Sequence, residues 1–205
     1  MNNSPELEAD NRPFDIDAYY QEVSALISTP QERLLHNDDR IKTSIVLRSM
    51  FEKAHADIKI FCGKFSVFRT EFQKNLINSY PTIAEKELLA PFKEAVEKFL
   101  EKGHRIIAII ENPAEWEQEK ENKGYFVELF QKYAKQIELR TTDNYFNQLM
   151  RMSHFYISPT ISTFEGAIRW EVDETNYKAI VSPSQKLYKT YNKAFEKLSR
   201  YSYLI

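Results

Sequence analysis

Cysteine is nearly absent from this chain: Cys62 is the only one among 205 residues. A single thiol excludes an intramolecular disulfide framework and a cysteine-based zinc site. Glycine is scarce, at four residues. No GxGxxG and no GxxxxGK[ST] occurs, which excludes the usual glycine loops for dinucleotides and nucleotide phosphates. HExxH and GxSxG are missing as well. His36, His55, His104 and His154 stand far apart without metal-ligand spacing, so neither a metal nor a cofactor is expected. No apolar run approaches the roughly 20 residues that a membrane span needs. Met1 to Asp17 is polar and acidic, unlike a signal peptide. The expectation is a cytoplasmic protein with no membrane partner.

What is present is aromatic and evenly charged: 14 Phe and 12 Tyr, and 28 basic against 30 acidic residues. The Lys-, Asn- and Tyr-rich composition has a bacterial cast. Charge is unevenly placed. Residues 1–22 hold six acids and Arg12, a balance of −5; residues 178–205 hold six basic residues and Glu196, a balance of +5. Residues 1–38 read as an acidic N-terminal arm with one helix at about 15–28, and 39–205 as a single α/β domain. The first dozen residues look disordered.

Within the domain, helical spacing alternates with short apolar runs. Asp38 or Asp39 caps a helix over about 40–55, and IKIFCG at 58–63 is a buried strand. A helical stretch covers 66–78. A long helix opens at Ser79 and Pro81 and stops at Gly103. RIIAIIE at 105–111 has five uninterrupted apolar residues, the pattern of a strand covered on both faces. Residues 112–124 are a polar loop or frayed helix, 126–136 a helix, 137–142 a strand and 145–152 a short helix. Strands at 154–158, 166–172 and 177–182 precede a last helix at about 184–200. The alternation predicts a layered α/β domain with a mixed, mainly parallel sheet flanked by helices, the late strands pairing antiparallel across short connections.

The strand cluster carries the candidate chemistry. His154 opens one strand. Arg169 and Glu171 share a face of the next by the period of two, and Asn176 and Lys178 sit near the third. A histidine beside a carboxylate and a cation suits a nucleophile or general base. Trp170, alternating with Arg169 and Glu171, is placed facing the core. Cys62 reads as buried and inert, and Trp116 as a partner anchor or local staple.

The element order, and above all HFYIS, AIRWEV and YKAIVS followed by an amphipathic helix, resembles one lobe of the phospholipase D superfamily. The resemblance covers about residues 40–200, most specifically 153–198. Active members carry His-x-Lys-x4-Asp: the histidine attacks phosphorus, and the lysine holds the phosphate charge. The resemblance puts His154 in the histidine position, Tyr156 in the lysine position and Ile161 in the aspartate position. Two of the three residues are therefore absent. The resemblance then implies a degenerate, non-catalytic module, or a site rebuilt with Arg169 or Lys178 as the cation and Glu171 as the acid. Active members pair two lobes, so a lone lobe implies a homodimer.

The last helix has an apolar stripe, Leu187, Tyr191, Ala194, Phe195 and Leu198. Beside it Lys186, Lys189, Lys193, Lys197 and Arg200 recur every three or four residues. These cations form either a solvated face or a contact for nucleic-acid phosphates, with Tyr188, Tyr201 and Tyr203 placed to stack on bases. The leading expectation is a non-catalytic module that binds a partner protein, nucleic acid or a phosphorylated ligand. The alternative is a dimeric, metal-independent phosphodiesterase or nuclease using His154. A scaffold or regulatory subunit is a third.

Overall fold

The computed structural model describes residues 14–121, 124–142, 153–173 and 178–205. The expected helix at 145–152, the first dozen residues and Asn176 lie outside them. The described residues form seven α-helices around one eight-stranded sheet. The helices are α1 (Ile16–Ile27), α2 (Arg40–Lys53), α3 (Thr70–Ser79), α4 (Ala90–Glu101), α5 (Pro113–Glu121), α6 (Tyr125–Lys132) and α7 (Gln185–Arg200). The strands are β1 (Leu35–Asn37), β2 (Ile58–Cys62), β3 (Ile106–Ile110), β4 (Ile137–Thr141), β5 (Phe155–Ser162), β6 (Glu165–Asp173), β7 (Lys178–Ser182) and β8 (Tyr203–Leu204). Their order across the sheet is β1-β7-β6-β5-β2-β3-β4-β8.

Local chemistry sets the helix ends. Asp15 and Asp39 accept from the amides of Ala18 and Lys42 at 2.9 and 2.7 Å and so cap α1 and α2. Gly103 ends α4 with φ +84°, a conformation that costs glycine nothing and an L side chain about 1 kcal/mol or more. The long helix expected from Ser79 is broken. A π-helical stretch, Ala84–Leu89, precedes α4, and the Ala90 amide reaches back to the Glu85 carbonyl. Pro91 has no amide hydrogen to continue the regular ladder, which explains the change of pitch.

The sheet is mixed, but the expectation of mainly parallel pairing is corrected. Only β2–β3 and β3–β4 pair parallel, with β1–β7, β2–β5, β4–β8, β5–β6 and β6–β7 antiparallel. Helical crossovers link the parallel pairs. The short connections among β5, β6 and β7 leave no room for a crossover and turn the chain straight back. The segment read as an arm also contributes to the domain: α1 buries Val23, Leu26 and Ile27 in the main core, and β1 closes one sheet edge. Residues 113–121 are helical because Trp116 inserts between Phe65 and Phe130 and buried Glu119 accepts from the Thr70 amide at 2.8 Å. Trp116 is therefore a core residue, 1% exposed.

The two sheet faces are unequal. Leu35, Val181, Arg169, Tyr156, Ile60, Ala108 and Leu139 stand side by side across seven strands. This face packs against α1 to α6 in the large core, where Phe51 meets Phe68, Phe92 and Phe99. The other face presents Ile180, Trp170, Phe155, Phe61 and Ile109 in one row. Among the described residues, α7 alone covers it, through Tyr188, Phe195 and Leu198. No helix is long and apolar enough to cross a membrane among the described residues.

Candidate functional site

His154 immediately precedes β5, which runs antiparallel to β2, so it lies at the end of the sheet where β2 and β3 finish. Ligands of open α/β sheets gather at this rim. The Glu171 amide donates to the His154 carbonyl at 2.8 Å, which sets the two residues side by side on the large-core face. Across β2, Gly63 makes room for the imidazole: a Cβ there would lie 2.8 Å from His154 Cε1. The ladder between β2 and β3 runs one step further, with the Glu111 amide on the Cys62 carbonyl at 3.0 Å. That step brings in a carboxylate which the sequence reading left as the end of an apolar strand.

These backbone positions assemble an ionic group with His154 and Arg169 buried and the two carboxylates partly buried. His154 Nε2 lies 2.7 Å from Glu111 Oε2, and Nδ1 lies 3.4 Å from Glu171 Oε2. Glu171 Oε1 accepts from Arg169 Nη1 at 3.1 Å. Arg169 is 1% exposed, and its guanidinium lies 5.5 Å from the centroid of the Tyr156 ring, its direct partner across β5 and β6. Burial pushes the Glu171 carboxyl upward, but His154 and Arg169 outweigh it and hold the group below its ordinary value. Burial pushes the Tyr156 hydroxyl well above the usual phenol range.

The structure thus brings His154, Arg169 and Glu171 together. Lys178 is not with them. It precedes Ala179, which pairs with Glu171 on the His154 face, so by strand alternation Lys178 projects to the opposite face, where it is exposed. Tyr156 occupies the large-core face two residues after His154, and the Arg169 guanidinium sits over its ring. No cluster of metal-ligating side chains occurs among the described residues.

Histidine phosphoryl chemistry requires an imidazole nitrogen facing phosphorus and a cation facing the phosphate oxygens. Here Nε2 faces Glu111, a carboxylate that repels phosphate. The cation buried beside it, Arg169, is engaged by Glu171 and the Tyr156 ring. Each ring nitrogen faces a carboxylate oxygen, Glu111 at Nε2 and Glu171 at Nδ1. The arrangement ties β3, β5 and β6 together at the rim.

The second candidate surface is α7. Lys186, Lys189, Lys193, Lys197 and Arg200 are all exposed, and none forms an ion pair with another described residue. They follow one side of the helix for about 21 Å at 1.5 Å per residue. The helix is fastened at both ends. Ser184 donates to Glu32 at 2.9 Å, and Arg140 donates to the Ser202 hydroxyl and carbonyl at 2.6 and 2.9 Å. The three tyrosines do not form one stacking surface. Tyr188 is buried beneath the helix, and Tyr203 pairs with Thr141 on the large-core side of the sheet, away from α7. Trp170 is half-buried on the α7 side instead of lying in the main core, its ring centroid 6.0 Å from that of Tyr191.

No family model matches the chain, and no curated protein matches its sequence. Solved structures do match. The fold is similar to that of TrmBL2, an archaeal chromatin protein with a novel mode of DNA binding, at a TM-score of 0.52 and 12% identity, over 92% of this chain. The chain spans about three-fifths of TrmBL2, 61% of its length. It is also similar to Nuc, a phospholipase D family member from Salmonella typhimurium, at a TM-score of 0.48 and 11% identity, over 86% of this chain and 99% of Nuc. Phosphatidylserine synthase of Haemophilus influenzae Rd KW20 matches at 0.44 and 9% identity, over 84% of this chain and 39% of the synthase. At these identities the likeness is one of fold. The layered α/β fold with a mixed sheet expected from the sequence is present, and the His-x-Lys-x4-Asp pattern is not, since Tyr156 and Ile161 stand in its lysine and aspartate positions.

Proposed function

We propose that this chain is a non-catalytic phospholipase D-like module that binds nucleic acid through phosphate contacts of α7. The observation that carries the reading is the stripe of five exposed cations, unpaired among the described residues, on a helix fixed at both ends. Such a row meets a polyphosphate without first breaking internal ion pairs. The net charge of −2 gives no attraction of the whole chain to nucleic acid, so the reading depends on the local row of cations on α7. DNA binding by a structural neighbour, TrmBL2, supports the same reading. The absence of catalysis rests on Glu111 at His154 Nε2 and on the burial of Arg169.

The test is anisotropy of a labelled DNA duplex across a salt series. Each neutralised phosphate contributes a slope of about −0.9 in log K against log salt. Changing Lys189, Lys193 and Lys197 to Gln should weaken binding and reduce the slope by about three if each lysine meets one phosphate. Binding that is absent, or untouched by the triple variant, would overturn the reading. A second reading, a metal-independent phosphodiesterase, is favoured by the proximity of His154, Arg169 and Glu171. It requires cleavage of a simple diester or nucleic acid in EDTA, lost in His154→Ala at intact fold.

A further inference from the structure

Alternate residues of β6 point away from the ionic group, toward α7, and there, among the described residues, the sheet is left partly open. Trp170 and Ile180, partners across β6 and β7, are half-buried on this side. Val172, two residues beyond Trp170 on the same strand, is 55% exposed. The wall of this open strip is the flank of α7, where Leu187, Tyr191 and Ala194 are half-buried. Trp170 and Tyr191 lie at an interplanar angle of 30°, and Tyr191 is braced edge-on by Phe155 at 4.9 Å between centroids. The cationic row runs along the top of the same helix, and exposed Lys178 projects from β7 on the same face.

An apolar sheet face half covered by one helix needs an occupant that tolerates a cationic rim. A basic or neutral protein surface fits poorly under six exposed cations. A strand of nucleic acid fits both parts at once, with phosphates on the lysines and unpaired bases on the aromatic rings. Base-on-aromatic stacking is indifferent to base identity because every base has a π-face. A duplex, whose bases are already stacked on one another, gains nothing from Trp170 and Tyr191. We infer that the open face beside α7, floored by Trp170 and walled by Tyr191, stacks bases of single-stranded nucleic acid held by the α7 cations. The inference rests on the nucleic-acid reading of α7 and adds the class of nucleic acid to it.

Tryptophan emission tests it directly. The chain has two tryptophans, Trp116 and Trp170. Trp116 is 1% exposed in the core, so a ligand-induced change reports on Trp170. Titration of the full chain with a short oligothymidylate should quench the emission, whereas a duplex of equal length should not. In Trp170→Leu and Tyr191→Leu, each keeping an apolar cover on the sheet, single-strand affinity should fall about ten-fold, with duplex affinity and the salt slope unchanged. Val172→Glu, which leaves both rings in place, should weaken single-strand binding as well.

Oligothymidylate that binds with a normal salt slope but without quenching, and equally well to all three variants, would overturn the inference while leaving the α7 reading intact. No salt-dependent binding of either nucleic acid would overturn both. Emission that shifts with protein concentration alone, and is lost in Trp170→Leu, would give this face to a second copy of the chain and overturn the inference.

Discussion

Replacing Arg169 with Met should cost this protein much of its stability. The guanidinium is 1% exposed, donates to Glu171 at 3.1 Å and covers the Tyr156 ring. Met fills a similar volume, so little of the loss comes from a cavity. The loss comes from Glu171, which keeps one close partner, His154 Nδ1 at 3.4 Å, in a half-dry setting. Breaking one side of a buried ion pair costs about 3–5 kcal/mol. At about 2–4 °C per kcal/mol for a chain of this size, the midpoint should fall by roughly 6–20 °C. The assay is thermal and urea unfolding at neutral pH. The double variant Arg169→Met/Glu171→Gln, which removes the stranded charge, should recover a large share of the loss. A single-variant loss below about 1 kcal/mol would refute the reasoning. It would mean that water reaches Glu171 freely and that the group is a hydrated rim instead of a buried tie.

Glu171 also fixes an acid dependence. Its carboxyl is held below the ordinary 4.5, so its contribution is fully present above that value and is lost as pH falls through the depressed one. In urea unfolding from pH 6 downward, Glu171→Gln should be less stable than wild type at pH 6, and the gap should narrow in acid. Gly63→Ala should destabilise by about 1–3 kcal/mol, because the new methyl meets His154 Cε1 at 2.8 Å and forces the ring from Glu111. A wild-type urea midpoint in that variant would show that the imidazole yields without loss. Gly103→Ala, at φ +84° with open space around it, should cost about 1–2 kcal/mol through backbone strain alone, read from the same unfolding curves.

Much of the architecture was legible because helices and buried strands leave strong local patterns. Asp39, Gly103, the IIAII run and the late strand trio all marked elements that the structure contains. What escaped was set by distant contacts. The three residues of β1 have no alternation long enough to read; they form a strand because β7 lies beside them. The helical state of 113–121 depends on Trp116 finding Phe65 and Phe130, some fifty residues upstream and fourteen downstream. At the site, period two placed Arg169 and Glu171 on one face, and the register then set His154 beside them. The same rule, applied from Ala179, would have sent Lys178 to the other face. Glu111 went unread although an acid at the carboxyl end of a central strand is a recognisable signal.

Both margins of the sheet are closed by very short strands, β1 with three residues and β8 with two. A long bare margin offers a row of unpaired amides and carbonyls on which another chain can crystallise as an added strand. Here the exposed ladder at each side is only a residue or two long, too little to template growth. The protection on the β8 side is thin, because only Arg140 and Thr141 are paired there, with one further bond from the Ile205 amide to the Leu139 carbonyl. Removing residues 203–205 would bare the whole of β4, and the protein would then be expected to lose solubility before it loses its fold.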